Sequence, residues 1–334
     1  MSLHEILNRQ YYKKSSWIFV LLPLSFIYYL IIFFRCWAYK VGIFKSIKMD
    51  VPVVIVGNIT IGGTGKTPLV IWLLEKLLKI GMKPGLICRG YNSNANYPQE
   101  VFTDSEVSDV GDEALMVKFR FEKNNINIPI FVGKKKVQVG RALLESYPDI
   151  NILISDDGLQ HYKLKRDFEI AVVDEVRKFG NEFLIPMGPL REPVNRLTRV
   201  DAVIVNSRTL KKSEYGYGMT YFGETLVNCL RSNHISELDV LEKEIVAITG
   251  IGNPERFFEQ LAASGIKFKE VIFNDHHFFT ESDFKDYDDM DIIMTEKDAV
   301  KCKGFAKENF WYLPVYADVE EKLFEKMTKK LRIN

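Results

Sequence analysis

The stretch from Ile55 to Pro68 constrains this chain more than any other part of its sequence. It overlaps the apolar run Val51 to Val56, which predicts a buried strand, and it precedes Leu69 to Ile80, which predicts a helix. Between the two lies a turn, Asn58 to Thr67, that has three glycines and ends in Gly-Lys-Thr. A strand, such a turn and a helix form a P-loop, which binds the phosphates of a nucleotide. The stretch predicts a nucleoside triphosphate site; a Gly-rich turn without a ligand is the alternative.

Each part of this turn has a defined task in nucleotide binding. Backbone N–H groups of the turn and the positive end of the helix hold phosphate oxygens. The Lys66 ammonium reaches the β- and γ-phosphates, and the Thr67 hydroxyl coordinates Mg²⁺. Thr60 stands where the usual pattern has its first glycine. The predicted nucleotide-binding residues are Thr60, Ile61, Gly62, Gly63, Thr64, Gly65, Lys66 and Thr67.

The composition excludes some classes of partner. A chain of 334 residues is long enough for one large domain or two moderate ones. Its 45 basic and 44 acidic residues nearly balance, so nucleic acid is not an expected partner. The four cysteines are scattered without metal-ligand spacing, which indicates reduced thiols in the cytosol. We infer no obligate protein partner from the sequence.

The N-terminal segment contains an uncharged run from Ser15 to Phe34, near the length of about 20 residues that a helix needs to span a bilayer. A cleaved signal peptide is disfavoured because no small-residue cleavage site follows. A spanning helix would be kinked by Pro23, and a buried core helix is the soluble alternative. Basic residues on both sides and interfacial aromatic residues such as Trp17 and Tyr28 favour an in-plane anchor. We therefore predict a membrane-associated N-terminal helix.

Apolar strands that alternate with helices predict an α/β fold, a P-loop-containing doubly wound parallel sheet. A weaker, possibly antiparallel pattern follows, and the strand Ile245 to Thr249 then opens a second, smaller α/β lobe. Ligands in such sheets bind beyond the carboxyl ends of the strands, where the polar loops lie. The predicted domains are the apolar helix at 1–40, the P-loop lobe at 41–206, a linker with short β structure at 207–241 and a C-terminal α/β lobe at 242–334.

Several polar residues lie where phosphoryl-transfer chemistry needs them. Asp156 and Asp157 end an apolar strand, the position of a carboxylate that holds Mg²⁺, although a simple polar turn has the same pattern. Asp112 precedes a helix and could equally be an N-cap or a first-turn acid. His276 beside Asp275 is an acid–base candidate because imidazole titrates near neutral pH, and a structural histidine is the alternative.

Three further charged residues, Arg89, Arg191 and Glu192, lie in predicted loops rather than on helix faces. Loops at the carboxyl edge of a sheet often contact ligands, but solvated loop charges are also common. The sequence alone leaves both interpretations open for these residues.

In combination, the motifs of this chain resemble one family, the tetraacyldisaccharide 4′-kinases (lipid A 4′-kinases) of Gram-negative bacteria. The resemblance covers nearly the whole chain, beginning with the apolar N-terminal helix. Each motif is short, but their order and combination are specific. The motifs are Gly57-Asn58-Ile59-Thr60, Gly62-Gly63-Thr64-Gly65-Lys66-Thr67-Pro68, Arg89-Gly90-Tyr91, Gly111-Asp112-Glu113, Asp156-Asp157-Gly158-Leu159-Gln160-His161, Gly188-Pro189-Leu190-Arg191-Glu192-Pro193, Gly250-Ile251-Gly252-Asn253-Pro254, Asp275-His276 and Thr295-Glu296-Lys297-Asp298.

The resemblance implies transfer of the γ-phosphate of ATP, with Mg²⁺, to the 4′-hydroxyl of a tetraacylated glucosamine disaccharide 1-phosphate in lipid A biosynthesis. It also implies two α/β lobes joined by a small β linker, and a location at the cytoplasmic face of the inner membrane. A tetraacylated lipid that left the bilayer would expose its chains to water, at about 0.8 kcal/mol per CH₂. The apolar helix would therefore bring the enzyme to the membrane as a monotopic protein.

The resemblance also implies roles for single residues. Lys66 and Asp157 would act in catalysis, and Asp112 would be the base or the orienter of the sugar hydroxyl, with His276 assisting from the C-terminal lobe. The implied metal ligands are Thr67, Glu192 and Asp156 or Asp157, and the sequence does not distinguish between the two aspartates. The implied contacts to the acceptor are Arg89, Gln160, His161 and Arg191.

Two other functions compete with this one. A membrane-associated switch or partitioning ATPase of the deviant Walker A kind also carries Gly-Gly-Thr-Gly-Lys-Thr, but it has a signature lysine directly before the glycine pair. Ile61 occupies that position here, which counts against such an ATPase. A lipid-binding protein with a vestigial P-loop would make Lys66, Thr67 and the aspartates spectators, although all of them are intact.

Overall fold

The computed structural model describes residues 11–12, 16–91, 97–210, 215–223, 225–230, 235–237 and 244–333. Predictions that fall on other residues lie outside this range. They concern most of the first 15 residues of the predicted N-terminal domain, the side chain of Trp17, residues 92–96 of a polar loop and parts of the predicted linker at 207–241.

Helices and strands alternate along much of the described chain. The helices are α1 (Leu22–Lys40), α2 (Lys66–Lys79), α3 (Val107–Val110), α4 (Asp112–Lys123), α5 (Lys136–Ser146), α6 (Pro254–Ala263), α7 (Glu296–Cys302) and α8 (Lys322–Leu331). Short 3₁₀ segments cover Ser16–Leu21, Val194–Arg199 and Glu281–Tyr287. The strands are β1 (Val53–Gly57), β2 (Pro84–Cys88), β3 (Gln99–Glu100), β4 (Ile130–Val132), β5 (Ile152–Asp156), β6 (Phe168–Asp174), β7 (Ala202–Asn206), β8 (Tyr217–Phe222), β9 (Thr225–Asn228), β10 (Ile235–Glu237), β11 (Ile245–Thr249), β12 (Phe268–Ile272), β13 (Asp291–Thr295), β14 (Phe310–Leu313) and β15 (Tyr316–Val319).

Contacts within the chain define two compact units, and each unit is assembled from separate stretches of sequence. The first unit comprises Met1–Ile87, Lys136–Thr220 and Val319–Asn334, and the second comprises Cys88–Lys135 and Tyr221–Asp318.

The two units group the residues differently from the predicted domains, whose bounds remain a prediction. Residues 88–135, which we expected within the P-loop lobe, belong to the second unit. Helix α4 of this stretch packs along α7. Arg120 of α4 donates to the Glu296 carboxylate at the start of α7 and to the Val315 carbonyl (2.8 Å). These contacts join residues far apart in sequence, so the sequence pattern alone does not reveal them.

The first unit contains the predicted doubly wound parallel sheet. Its strands follow the order β8-β7-β6-β1-β5-β2, and every neighbouring pair is parallel. Strand β1 lies inside the sheet, and the chain adds strands on both sides of it. Val56 of β1 is in register with Asp156 of β5. The polar residues that follow these two strands therefore meet at the same edge of the sheet.

Strand β1 and helix α2 form the core around the predicted P-loop. The strand is completely buried, and Leu69, Leu73 and Leu77 of α2 are 0% exposed. These leucines recur every four residues and face β1 and β5. The helix begins at Lys66, three residues before the predicted start at Leu69, because Gly65 ends the turn with φ of +91°.

Helix α1 is apolar and largely exposed. The segment Ile18–Lys40 is long and apolar enough, by length and composition, to cross a bilayer, and no other helix among the described residues is. Only 11% of its most apolar window is buried, which is unlike the core helix of a soluble protein. Pro23 lies in the first turn of α1, a position that accepts proline. It therefore does not kink α1, although we expected it to kink a helix that spanned the bilayer.

The second unit contains a mixed sheet with the order β10-β9-β14-β13-β11-β12. Strand β11 has the predicted bounds, and it is parallel to β12 and β13, as β13 is to β14. Strand β9 is antiparallel to β10 and β14. Both β9 and β10 fall within 207–241, where we predicted short β structure.

Aromatic rings fill the core on one side of this sheet. Phe284 is 1% exposed, and its ring lies 4.9 Å from that of Phe310 and 5.5 Å from that of Phe279, centroid to centroid. Burial of such rings supplies much of the stability of a small α/β core. Phe284 is therefore a central support of the second unit.

We predict that Phe284→Ala lowers the free energy of unfolding by about 3–5 kcal/mol, because the substitution removes a buried ring and leaves a cavity. Urea denaturation measures the change. Phe278→Ala is the matched control, since Phe278 is 54% exposed, and we expect a loss below about 1 kcal/mol for it. Equal losses for the two variants would contradict this account of the core.

Candidate active site

The predicted P-loop is a turn between β1 and α2. Lys66 is the first residue of α2, and its Nζ lies 3.3 Å from Asn58 Oδ1 and 3.5 Å from Asp157 Oδ1. The Asn206 amide donates to the Thr64 carbonyl (2.9 Å), which fixes the turn against β7. The Lys66 ammonium is thus held above the turn, where the helix N-terminus adds positive potential.

A second backbone segment is hydrogen-bonded to this turn. The Ile61 N–H donates to the Pro189 carbonyl (2.8 Å), and the Arg191 N–H donates to the Ile59 carbonyl (2.7 Å). The loop that contains the predicted motif Gly188 to Pro193 therefore lies against the P-loop. This pairing brings the side chain of Arg191 to the predicted nucleotide site.

Asp156 and Asp157 lie at the carboxyl end of β5, next to the end of β1. Asp156 is 5% exposed, and Asp157 follows in the left-handed region with φ of +48°. The Asp157 carboxylate accepts from Arg191 Nη1 at 3.1 and 3.2 Å. Burial alone would raise the pKa of Asp157, but Lys66 and Arg191 outweigh burial and hold it well below its usual range.

Gln160 and His161 lie in the turn after this pair. Gln160 Nε2 donates to the Asn58 carbonyl (3.0 Å), which links the turn to the P-loop. The His161 N–H donates to the Gly158 carbonyl (3.0 Å), and the residue is half-buried. Gln160 and His161, two of the three predicted acceptor contacts in the first unit, therefore lie in the turn that adjoins the predicted P-loop.

Glu192 is buried, at 2% exposure. Its Oε1 accepts from the Tyr162 hydroxyl (3.0 Å), whereas Oε2 lies 3.2 Å from Arg196 Nε and has no hydrogen-bond partner in the described part of the chain. Burial raises the pKa of Glu192. The Tyr162 bond and the Arg196 ion pair help to fix the loop that carries this carboxylate. Arg89, the remaining predicted contact, is exposed and belongs to the second unit.

The second unit brings together two candidates that are 164 residues apart in sequence. His276 Nδ1 lies 2.9 Å from Asp112 Oδ2. An ionised carboxylate only accepts hydrogen bonds, so Nδ1 donates the hydrogen of this contact. We expected His276 to assist from a separate lobe, but Asp112 and His276 are in the same compact unit.

Asp112 is the first residue of α4, a first-turn acid whose Oδ1 accepts from the Glu113 N–H (2.9 Å) while Oδ2 faces the buried basic residues. Gly111, with φ of +84°, is the N-cap residue. The Asp112 side chain is only 4% exposed, and Lys301 Nζ and Lys297 Nζ lie 3.5 and 3.8 Å from its Oδ2. Burial alone would raise the pKa of Asp112, but Lys297, His276 and Lys301 together hold it well below its usual range.

The His276 ring is held in one orientation. It packs on the Tyr91 ring at 4.5 Å between centroids, and its backbone has φ of +60°. Its Nε2 lies 3.8 Å from Asp275 Oδ1. A shallow pocket opens at this place, and its lining residues are Tyr91, Val107, Asp112, His276, Phe278 and Lys301.

The sequence analysis missed several residues that shape these sites. Asn58 contacts Lys66. Lys297 and Lys301 lie beside the Asp112 carboxylate, and Asp298 pairs with Lys301. Their signal was available in part, because the motif Thr295 to Asp298 follows an apolar strand. The rule that ligand-contacting residues follow the carboxyl ends of strands would have selected this segment.

Known proteins of one family are similar to this chain over nearly its whole length. A family model described as LpxK, tetraacyldisaccharide-1-P 4′-kinase, matches residues 17–332. A tetraacyldisaccharide 4′-kinase from Methylobacillus flagellatus is 44% identical over 97% of this chain and 95% of its own length. One from Aeromonas salmonicida is 40% identical over 98% of this chain and 96% of its own length. The crystal structure of LpxK from Aquifex aeolicus in complex with ATP covers 95% of this chain and all of its own, with 29% identity and a TM-score of 0.77.

We predict that Asp112→Asn is less stable than the wild type at pH 7 and that this difference shrinks as the pH falls below about 4. The pKa of Asp112 is lowered in the folded state, so its contribution is present above the unfolded value of about 3.9 and is lost as the pH falls towards the folded value. Urea denaturation between pH 7 and 3 measures the difference. Asp286→Asn, at an exposed position of the same unit, is the control. A difference that stays constant or grows in acid would contradict the prediction.

Proposed function

The chain belongs to the LpxK family of tetraacyldisaccharide-1-P 4′-kinases and is a kinase of lipid A biosynthesis, and we propose how its residues perform the reaction. The γ-phosphate of ATP passes to the 4′-hydroxyl of tetraacyldisaccharide 1-phosphate. The observation that carries the proposal is the presence, in one chain, of a P-loop lysine and a buried Asp112–His276 pair. The first suits a phosphoryl donor, and the second suits an acceptor hydroxyl.

The P-loop residues bind the phosphates of ATP. Lys66 neutralises charge on the β- and γ-phosphates, and backbone N–H groups from Gly62 to Thr67 donate to their oxygens. Thr64 supports this role, because its hydroxyl is buried and has no hydrogen-bond partner in the described part of the chain. A buried donor without a partner is costly, and a phosphate oxygen would satisfy it.

The residues around the P-loop fit Mg²⁺ bound together with ATP. The Thr67 hydroxyl and the carboxylates of Asp156 and Asp157 are hard oxygen ligands, and they follow neighbouring strands. The described residues include no group of three His, Cys, Asp or Glu side chains able to hold a metal, but Mg²⁺ needs only one or two carboxylates when phosphates complete its shell. Bound there, Mg²⁺ would neutralise charge on the phosphates. Glu192 is the fourth proposed ligand, and its buried Oε2 has no hydrogen-bond partner in the described part of the chain.

The Asp112–His276 pair activates the acceptor. The pKa of Asp112 is lowered, so Asp112 is a poor proton acceptor and a good partner for the N–H at His276 Nδ1. His276 Nε2 therefore takes the proton from the 4′-hydroxyl as the sugar oxygen forms its bond to the γ-phosphorus. The bond between that phosphorus and the bridging oxygen breaks, and its electrons leave with ADP. In this assignment Asp112 is the orienter and His276 is the base.

Four residues are proposed to contact the acceptor. Arg191 and Arg89 provide guanidinium groups, which bind phosphate in a planar, two-pronged geometry. Arg191 lies beside Asp157, and Arg89 is exposed. Gln160 and His161 provide neutral donors and acceptors suited to sugar hydroxyls.

Helix α1 is proposed to lie in the plane of the cytoplasmic face of the inner membrane. Ser25, Tyr28 and Arg35 hydrogen-bond backbone groups of the first unit, so at least ten residues of the helix lie along the protein. This stretch is about 15 Å long, half the thickness of a bilayer core. A helix packed in this way presents one apolar face outward, and Phe26 and Phe34 on it are each 59% exposed.

We predict that the protein converts tetraacyldisaccharide 1-phosphate to the bis-phosphorylated product with ATP and Mg²⁺. Lys66→Ala and His276→Ala should each lower kcat about 100-fold or more, because one removes phosphate neutralisation and the other the base. Lys79→Ala, at an exposed position of the same helix as Lys66, should leave the rate within about twofold. The measurement is radiolabelled phosphate transfer to the lipid in detergent micelles. Absence of product with the wild type would overturn the activity, and an unchanged rate in the Lys66 or His276 variant would overturn that role.

We predict that Phe26→Glu combined with Phe34→Glu lowers binding to phospholipid vesicles by about tenfold or more, since two large apolar side chains no longer enter the lipid. Vesicle flotation measures the bound fraction. The control is Ile80→Glu, which changes an apolar residue that directly follows α2 and is 42% exposed. If the double variant floats like the wild type, α1 is not the membrane contact.

A further inference from the structure

Asp298 is a completely buried carboxylate that joins two parts of the second unit. It lies in the first turn of α7 and is 0% exposed. Its Oδ2 accepts from the Thr249 hydroxyl (2.9 Å), the Gly250 N–H (3.1 Å) and the Thr295 hydroxyl (2.7 Å). Its Oδ1 accepts from Lys301 Nζ (2.9 Å). Both oxygens are therefore used, and the carboxylate is fixed in position.

One connection leads from Asp298 to Asp112. Lys301 Nζ, which bonds Asp298 Oδ1, also lies 3.5 Å from Asp112 Oδ2. The Lys301 side chain is 4% exposed, so its ammonium is held between the two carboxylates with little access to water. The same Asp112 oxygen accepts from His276 Nδ1. Lys301 therefore limits where that oxygen can lie and supports the hydrogen bond that orients the imidazole.

A second connection leads from Asp298 to the His276 backbone. The Gly250 N–H donates to Asp298, and the carbonyl of the same Gly250 accepts from the His276 N–H (3.0 Å). His276 has φ of +60°, a conformation that costs about 1 kcal/mol or more for a residue with a Cβ and needs support from its surroundings. The backbone bond to Gly250 is part of this support.

We propose that Asp298 and Lys301 are positioning residues that hold the Asp112–His276 pair in its reactive geometry, through Lys301 to the carboxylate and through Gly250 to the imidazole backbone. This inference rests on the function proposed above, because the pair must act in the transfer for its geometry to matter.

The position of Lys301 adds an electrostatic effect that a purely structural role would not have. The charged groups that face the pair are Lys297 and Lys301 from α7, Glu113 from α4 and Asp275 from the loop before His276. The aromatic ring that packs on His276 is that of Tyr91. Removal of the Lys301 cation leaves the pair with one fewer positive neighbour, so the pair takes up a proton more readily.

The test is the pH dependence of kcat for Lys301→Met in the full-length protein, measured with the lipid acceptor in micelles. We expect the plateau kcat to fall tenfold to a hundredfold, on the order expected when a reacting group is displaced. We also expect the acid limb of the profile to move to higher pH by about one unit. The KM for ATP should change by less than about twofold, since Lys301 lies outside the P-loop. An unchanged acid limb together with an unchanged kcat would overturn the proposal.

Lys301→Met alone leaves the buried Asp298 carboxylate without its cation and could unfold the unit. The double variant Lys301→Met, Asp298→Asn removes both charges and keeps an oxygen for the Thr249, Gly250 and Thr295 donors. We expect it to recover thermal stability relative to Lys301→Met while its acid limb remains displaced. If the recovery of stability also restores the wild-type profile, the two residues are structural only, and the proposal fails.

Lys307→Met is the matched control, because Lys307 belongs to the same unit, pairs with Asp288 at 2.8 Å and is 39% exposed in its side chain. Its kcat profile should match that of the wild type. Failure of this proposal is distinguishable from failure of the kinase activity. If the wild type forms no product, the proposed function is wrong; if the wild type is active and the Lys301 variant keeps its profile, only the positioning role is wrong.

Discussion

Carboxylates largely shielded from water and held by cations are the interaction on which both candidate sites depend. Asp157 accepts from Arg191 and lies 3.5 Å from Lys66, and Asp112 lies between His276 and Lys301. An ionised carboxylate away from water is unfavourable unless cations and donors surround it. Each site therefore needs its basic residues at fixed positions even before a substrate binds. The groups that stabilise the protein and the groups proposed to act on phosphate and hydroxyl are the same, so substitutions there change stability and activity together.

The elements that could be predicted are those that neighbouring residues encode. The P-loop and its flanking strand and helix follow from a contiguous apolar and glycine pattern, and β11 from a short apolar run between turn residues. The membrane-type helix was also recognisable from composition, but its start was not. The sequence suggests one run from Ser15 to Phe34, whereas a 3₁₀ segment gives way to α1 at Leu22 and the helix continues to Lys40. Where a helix begins depends on packing that hydropathy does not record.

The candidate sites were predictable as residues but only in part as geometry. Motifs nominated Asp112 and His276 separately, yet their contact joins positions that are 164 residues apart, and it depends on the packing of α4 against α7. The same packing places residues 88–135 in the second unit. No change in composition along the sequence marks the bounds of this stretch. Lys301 was not nominated at all. A lysine near the end of a short helix has the pattern of a solvated charge until the tertiary structure shows that it is buried.

Ser25 illustrates how one polar atom can fix the orientation of an apolar helix. It is one of two buried residues in α1, and its hydroxyl donates to the Leu184 carbonyl and accepts from the Met187 N–H. Hydrophobic contact has no directional preference, so an apolar helix could roll about its axis at little cost. Successive residues are about 100° apart around that axis, and two hydrogen bonds to one hydroxyl fix the angle. The hydroxyl thus sets the angular position of every other side chain on the helix, so a buried polar atom determines which apolar residues face outward.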